Sequence, residues 1–185
     1  MRIVAGRLRN RALKPPSSQD IRPTSDRLRE SLFNILAHRF DDAANNARVL
    51  DLFAGTGALG IEAMSRGASF ALFVEDGAEA RGLIRENVMA LGLSGVTKIF
   101  RRDATALGEL VTLEPFDLVF CDPPYRKGLG EKALASAAQG GWLEKGALAV
   151  VEESADAPFA APTDFAVEDE RAQGETILRF LRYGN

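Results

Sequence analysis

Three observations predict an α/β fold with a mostly parallel sheet. From residue 48 onward, short apolar runs alternate with helix-length stretches, the pattern of βαβ units. The last two strand-like runs lie only a few residues apart, too close for a helical crossover, so they must pair antiparallel. Four acids, Asp51, Glu75, Asp103 and Asp122, each close a strand-like run, and the carboxyl edge of such a sheet is where ligands sit.

In chain order, "RIVAG" and "RALKP" flank the turn-like "RLRN" and read as a short hairpin ahead of a Pro/Ser loop at 15–19. "RPTSDRLRESLFNILAHRF" reads as an amphipathic helix. Pro23 precedes Thr24, Ser25 and Asp26, which offer an N-cap and a first-turn acid, and Leu28, Leu32, Leu36 and Phe40 recur every four residues. Its arginines are expected off that apolar stripe. Strands follow in "RVLDLF", "FALFVE", "TKIFRRD", "FDLVFCD" and "ALAVVEE", with helical stretches over 57–67 and 77–91. "FAVEDER" and "TILRFLRY" supply the antiparallel end. The expected organisation is a basic arm over 1–20 and one domain over 21–185.

A chain of 185 residues with 46% apolar content is long enough to bury a sizeable core. No stretch approaches the roughly 18 apolar residues of a membrane span, and "MRIVAGRLRN" lacks the apolar core of a signal peptide, so a cytoplasmic location is expected. Cys121 is the single cysteine and His38 the single histidine. A disulfide framework and a Cys/His metal site are therefore excluded, Cys121 reads as a buried thiol, and no metal is expected. Residues 1–40 carry nine Lys and Arg against three acids, a net +6, while the remainder carries 14 against 23, a net −9. A basic arm on an acidic body points to a polyanionic partner met at the arm.

"DLFAGTGALGIEA" places Gly55, Gly57 and Gly60 in the Gly-x-Gly-x-x-Gly spacing of dinucleotide folds, with Glu75 where a ribose hydroxyl would bind. A nicotinamide-dependent oxidoreductase is thus a competing reading. Charge argues against it: Asp51, at the end of the first strand, would repel a pyrophosphate but suits an ammonium. S-adenosylmethionine carries adenine, ribose, an ammonium and a sulfonium, and no phosphate. Asp51 would meet the ammonium, Glu75 the ribose hydroxyls, Gly55 and Gly57 would allow close approach, and Asp103 with Ala104 would reach the adenine.

In "FDLVFCDPPYRKG" two prolines take the chain rigidly out of the sheet directly after Asp122. Together with the glycine loop, "FVED" and "RRDA", this "CDPPY" resembles the ordered motifs of class I S-adenosylmethionine-dependent methyltransferases that modify exocyclic amino groups. "RIVAGRLRNRALKPP" and "RPTSDRLRESLFNIL" resemble a narrower group, the bacterial 16S rRNA guanine-N2 methyltransferases acting on guanine 966 of the small subunit. The resemblance covers essentially the whole chain. It implies a Rossmann-like, seven-stranded, mostly parallel sheet with one antiparallel strand, helices on both faces and an N-terminal hairpin extension.

An exocyclic amino nitrogen is a poor nucleophile because its lone pair is delocalised into the ring. The resemblance implies that the Asp122 carboxylate and the Pro123 carbonyl accept its two N–H groups, that Pro124 keeps the segment rigid, and that Tyr125 stacks on an unpaired base. Residues 22–29 resemble a segment that packs over the cofactor, which places Thr24 near its methionine end. Arg2, Arg7, Arg9, Arg11 and Lys14, with Arg126 and Lys127 beside the pocket, would bind phosphates without reading sequence. The implied partner is 16S rRNA within an assembled or assembling 30S subunit, met by a monomer. Adenine N6, cytosine N4 and a protein glutamine amide stay open as targets, because the motif orients any planar amino group. The glutamine group usually carries Asn where this chain has Asp122. A non-enzymatic assembly factor also stays open. Trp142 reads as core packing.

Overall fold

The computed structural model describes residues 1–17 and 24–184. The expected arm boundary at 20/21, the end of the Pro/Ser loop, Arg22 and Pro23 lie outside the described residues.

Seven strands form one sheet in the order β3-β2-β1-β4-β5-β7-β6. These are β1 (Arg48–Leu52), β2 (Phe70–Val74), β3 (Thr97–Phe100), β4 (Phe116–Cys121), β5 (Leu143–Ser154), β6 (Phe165–Gln173) and β7 (Thr176–Tyr183). β1 to β5 pair in parallel, and β7 runs antiparallel to both β5 and β6. The tight connection between β6 and β7 thus pairs as its spacing requires. The order reverses between β1 and β4, and the crevice at their carboxyl ends is the natural ligand position of such a sheet.

Alternation along the central strands sends one set of side chains to each face. Val49, Phe73, Leu118, Phe120 and Val150 join one core with Leu32 and Phe33 of α1 (Asp26–Arg39), Ile61 of α2 (Ala58–Ser65) and Ile84 of α3 (Ala78–Ala90). Leu50, Leu72, Val119, Cys121 and Val151 join the other with Leu134 of α4 (Leu129–Gln139) and Trp142. Both readings made for the single residues hold: Cys121 is buried, and Trp142 stacks on Phe116 with its indole N–H donating to the Gly108 carbonyl at 2.7 Å.

α1 begins where the capping residues place it, with the Ser25 hydroxyl accepting from the Leu28 amide at 3.1 Å. Two expectations need correction. Arg29 is not off the apolar stripe: it is fully buried beside Leu32, Phe33 and Leu36. The regular alternation also fails between β3 and β4, where a single 3-10 turn at Ala104–Ala106 replaces an α-helix. There the chain's polar groups find partners outside their own segment. The Leu107 amide donates to the Ser136 hydroxyl at 2.8 Å and the Leu110 amide to the Gly140 carbonyl at 2.9 Å.

The N-terminal residues form an antiparallel bridge at Arg2 and Ala12 rather than full strands. Ile3, Leu8 and Leu13 are buried in the core shared with α1 to α3, so the arm is packed onto the body. Glu62 of α2, itself fully buried, holds it there by accepting from the Val4 and Ala5 amides at 2.9 and 3.0 Å.

Candidate active site

A cavity of about 800 Å³ opens over the carboxyl ends of β1, β2, β4 and β5. Four acids of its wall arise from one register rule. Asp51, Glu75, Asp122 and Glu152 each stand two residues beyond a core residue of the α1–α3 face, namely Val49, Phe73, Phe120 and Val150. The same alternation that buries those apolar side chains aims the acids into the crevice.

The glycine loop shapes the floor. Gly57 caps α2 in the left-handed region at φ 77°, and a Cβ on Gly60 would lie 2.5 Å from the Phe73 ring. That close approach lets the Gly60 amide donate to Asp51 Oδ2 at 2.9 Å. Glu75 accepts from the Gly55 amide at 2.9 Å and the Gly77 amide at 2.8 Å, so it braces the loop from the far side. Phe53, between Asp51 and the glycines, holds φ 57°, a conformation uncommon for a bulky residue and concentrated at functional sites.

Asp51 is 2% exposed, and burial pushes its carboxyl well above the usual range. The Gly60 amide opposes this, while the charges of Asp122 and Glu75 add to it. On the opposite wall, the Thr24 hydroxyl donates to Asp122 Oδ2 at 3.3 Å. Arg29 Nε donates to the Thr24 carbonyl at 3.4 Å, which ties Thr24 to the buried ion pair of Arg29 and Glu62. The Tyr125 hydroxyl donates to Glu152, and the Arg126 amide to Glu153 at 3.0 Å, so the Asp-Pro-Pro-Tyr segment is fastened to the end of β5.

Of the residues singled out from sequence, the cavity wall gathers Thr24, Asp51, Gly55, Glu75, Asp122, Pro123, Pro124 and Tyr125. Gly57 lies behind the wall against Ile84 and Phe73. Asp103 and Ala104 are not in the wall. The Asp103 carboxylate accepts from the Thr105 amide and hydroxyl at 2.8 and 2.7 Å, and these bonds lower its pKa. Of the basic residues, Arg2 pairs with Asp26, Lys14 with Glu86, and Arg126 with Asp156, while Arg11 donates to the Ala90 carbonyl at 3.0 Å. Arg7, Arg9 and Lys127 are exposed. Sequence reasoning missed Phe53, Glu152 and Gln173 in the wall. Glu152 was findable, because it lies in the acidic carboxyl-terminal part of the fifth apolar run, in the same alternation phase as the other acids.

The donor set discriminates between cofactors. Among the described residues, the wall holds seven acids, including Asp76, Glu79 and Glu175, and no Lys, Arg or His. A pyrophosphate would meet only negative charge there, whereas a cation with hydroxyl and amino donors is complementary to every acid. The residues present therefore fit S-adenosylmethionine and not a nicotinamide dinucleotide.

The model of the family Conserved hypothetical protein 95 matches residues 1–182. The chain is 37% identical over 184 residues to ribosomal RNA small subunit methyltransferase D of Escherichia coli K12, covering 98% of this chain and 89% of that protein. It is 33% identical over 187 residues to the protein of the same name from Haemophilus influenzae, covering 100% of this chain and 94% of that one. The solved structure titled putative methyltransferase yhhF from Escherichia coli superposes with a TM-score of 0.84 at 33% identity, covering 100% of this chain and 98% of that chain.

Proposed function

The chain belongs to the Conserved hypothetical protein 95 family, and on that premise we propose that it methylates the N2 amino group of a guanine in 16S rRNA, using S-adenosylmethionine. What supports this reading above all is the acid row. Carboxylates from four neighbouring strands converge on one cavity beside a rigid Asp-Pro-Pro-Tyr segment.

S-adenosylmethionine supplies an electrophilic methyl on a sulfonium. The chain's own residues bind and align. Asp51 would pair with the ammonium, Glu75 would accept from the ribose hydroxyls, and Gly55 would let backbone approach the cofactor closely. Asp122 and the Pro123 carbonyl accept the two N–H groups of the target amine, drawing its nitrogen towards tetrahedral geometry and freeing the lone pair. Thr24 donates to Asp122 and fixes its rotamer. Pro124 keeps the segment rigid, and Tyr125 stacks on the base. As the nitrogen gains the methyl, the methyl–sulfur bond would break to leave a neutral thioether, and the cationic nitrogen would pass its proton to the Asp122 carboxylate or to water, so no strong base is needed. Alignment of this kind carries large rate factors.

The arm, residues 1–20, is proposed to meet rRNA phosphates through Arg7 and Arg9 with the other basic residues at its surface, and residues 21–185 to form the methyltransferase domain. The substrate is proposed to be the assembled or assembling small subunit, met by a monomer in the cytoplasm. None of the described helices is long and apolar enough to cross a membrane.

The direct test is transfer of labelled methyl to unmodified small subunits and to naked 16S rRNA, followed by nucleoside analysis. Label in N2-methylguanosine is expected; label in N6-methyladenosine, in a methylated cytosine or in protein would replace the assigned target.

A pH dependence follows from Asp51. Because its carboxyl is raised, the protonated form persists to higher pH than usual, and a neutral acid pairs poorly with an ammonium. Cofactor affinity should therefore rise with pH over a window displaced above the ordinary carboxylate range, up to the point where the cofactor's own amine begins to lose its proton, with a limiting slope of about tenfold per pH unit. Binding releases a proton over that window. Calorimetry with 5′-methylthioadenosine, which lacks the ammonium, should give a flat profile; equal slopes for the two ligands would remove Asp51 from the ammonium site.

A further inference from the structure

Glu152 stands beside Asp122 in space, not in sequence. Across the parallel pair of β4 and β5, Cys121 is in register with Val151, so Asp122 and Glu152 are the next residues on neighbouring strands. Both line the cavity, and both follow the phase of the α1–α3 face. Strands of a sheet lie about 4.8 Å apart, so the two carboxyl groups form a short row. Glu152 is 7% exposed and accepts the hydroxyl of Tyr125, the residue assigned to stack on the base.

A base stacked on Tyr125 presents its Watson–Crick edge to whatever borders that ring, and flipped bases are read along this edge. Guanine carries N–H donors at two adjacent positions there, N1 and the N2 amino group. Adenine and cytosine each offer a ring nitrogen acceptor beside their amino group. Two carboxylates side by side complement guanine alone, because the second would face a lone pair in either of the other bases. We propose that Glu152 accepts the N1–H of the target guanine while Asp122 holds its N2 amino group, so that Glu152 determines which base is methylated. The inference rests on the guanine-N2 reading above and adds the residue that enforces it. The Tyr125–Glu152 hydrogen bond couples the stacking ring to this carboxylate, setting the plane of the base and the acceptor for its edge together.

The test uses the full chain and small subunits reconstituted with either guanine or 2-aminopurine at the methylated position. 2-Aminopurine keeps the N2 amino group but has a lone pair at N1. The wild-type chain should favour guanine by about 100-fold in kcat/KM, the upper end of what leaving one buried acceptor unsatisfied costs. Glu152→Gln can still accept from Tyr125 while offering an N–H to N1 of 2-aminopurine, so the preference should collapse to within about tenfold, with 2-aminopurine gaining relative to guanine. Glu152→Asp retains a carboxylate and should retain a guanine preference, which guards against a folding defect in the first variant. If Glu152→Gln lowers both substrates equally and leaves the ratio unchanged, Glu152 serves only to hold Tyr125 and the proposal is wrong. If the wild-type chain fails to methylate guanine at all, the underlying reading falls with it, an outcome distinct from an unchanged ratio.

Discussion

Asp122→Ala should lower kcat for methyl transfer by about 10²–10³-fold, the scale seen when one preorganised polar contact to the reacting group is deleted. Cofactor affinity should change far less. The reason lies in where Asp122 sits: it lines the cavity where the target amine is proposed to bind, receives the Thr24 hydroxyl at 3.3 Å, and is one of the charges that raise the Asp51 carboxyl. Deleting it removes the acceptor proposed to free the amine's lone pair, while easing ionisation of Asp51, the group proposed to pair with the ammonium. Asp122→Asn keeps one acceptor oxygen and should fall between the two. Single-turnover methyl transfer separates these effects from product release, and calorimetry with S-adenosylmethionine reports binding. Near-wild-type single-turnover rates in Asp122→Ala would mean that the carboxylate does not orient the amine.

The second large effect is on stability. Glu62 is fully buried and accepts the Val4 and Ala5 amides, Arg29 at 3.3 Å and Arg66 at 2.9 Å. Burial pulls the Arg29 guanidinium below its ordinary pKa even with Glu62 and Asp26 beside it, a sign that its desolvation is only partly offset. Glu62→Ala leaves that guanidinium with the half-exposed Asp26 as its one remaining acid among the described residues and orphans two amides of the arm. Breaking a buried pair this way costs about 3–5 kcal/mol. For a chain of this size that corresponds to a fall in melting temperature of roughly 10 °C. The paired replacement Arg29→Met with Glu62→Leu should recover the part of the loss that comes from the uncompensated charge, because removing both charges also removes their desolvation cost, while the Val4 and Ala5 amides stay orphaned. Thermal unfolding of Arg29→Met, Glu62→Leu and the double closes the cycle. A loss below about 1 kcal/mol in Glu62→Ala would show that water reaches the pair. Arg29 also holds the Thr24 carbonyl, so loosening it should cost methyl transfer beyond what unfolding explains.

What a local pattern can encode was legible. β1, β2 and β4 announce themselves by apolar runs, α1 by its caps, and the antiparallel end by a connection too short for a crossover, because each signal is complete within one element. The acids Asp51, Glu75 and Asp122 were legible for the same reason: each closes its own strand, and strand ends face the crevice. Glu152 was passed over although it follows Val150 in β5 with the spacing that the other acids keep to their core residues. Its place next to Asp122 depends on strand order, and β4 and β5 are separated in sequence by α4.

The sequence by itself determined the element types, the acid at each strand end, the glycine loop and the segment after Asp122 that the prolines stiffen. These follow from dihedral preferences and periodicity that act over a few residues. Only the tertiary structure decided which groups share an environment. Arg29 looked like another surface arginine until Glu62, 33 residues away, supplied the charge that allows its burial. Asp103 looked like a fourth site acid, yet β3 ends at Phe100, and beyond it the carboxylate turns to cap the 3-10 turn at Thr105 instead of lining the cavity. Burial of a charge and convergence of carboxylates are set by partners distant in sequence, whose free energies exist only once the strands are ordered and the helices packed on them.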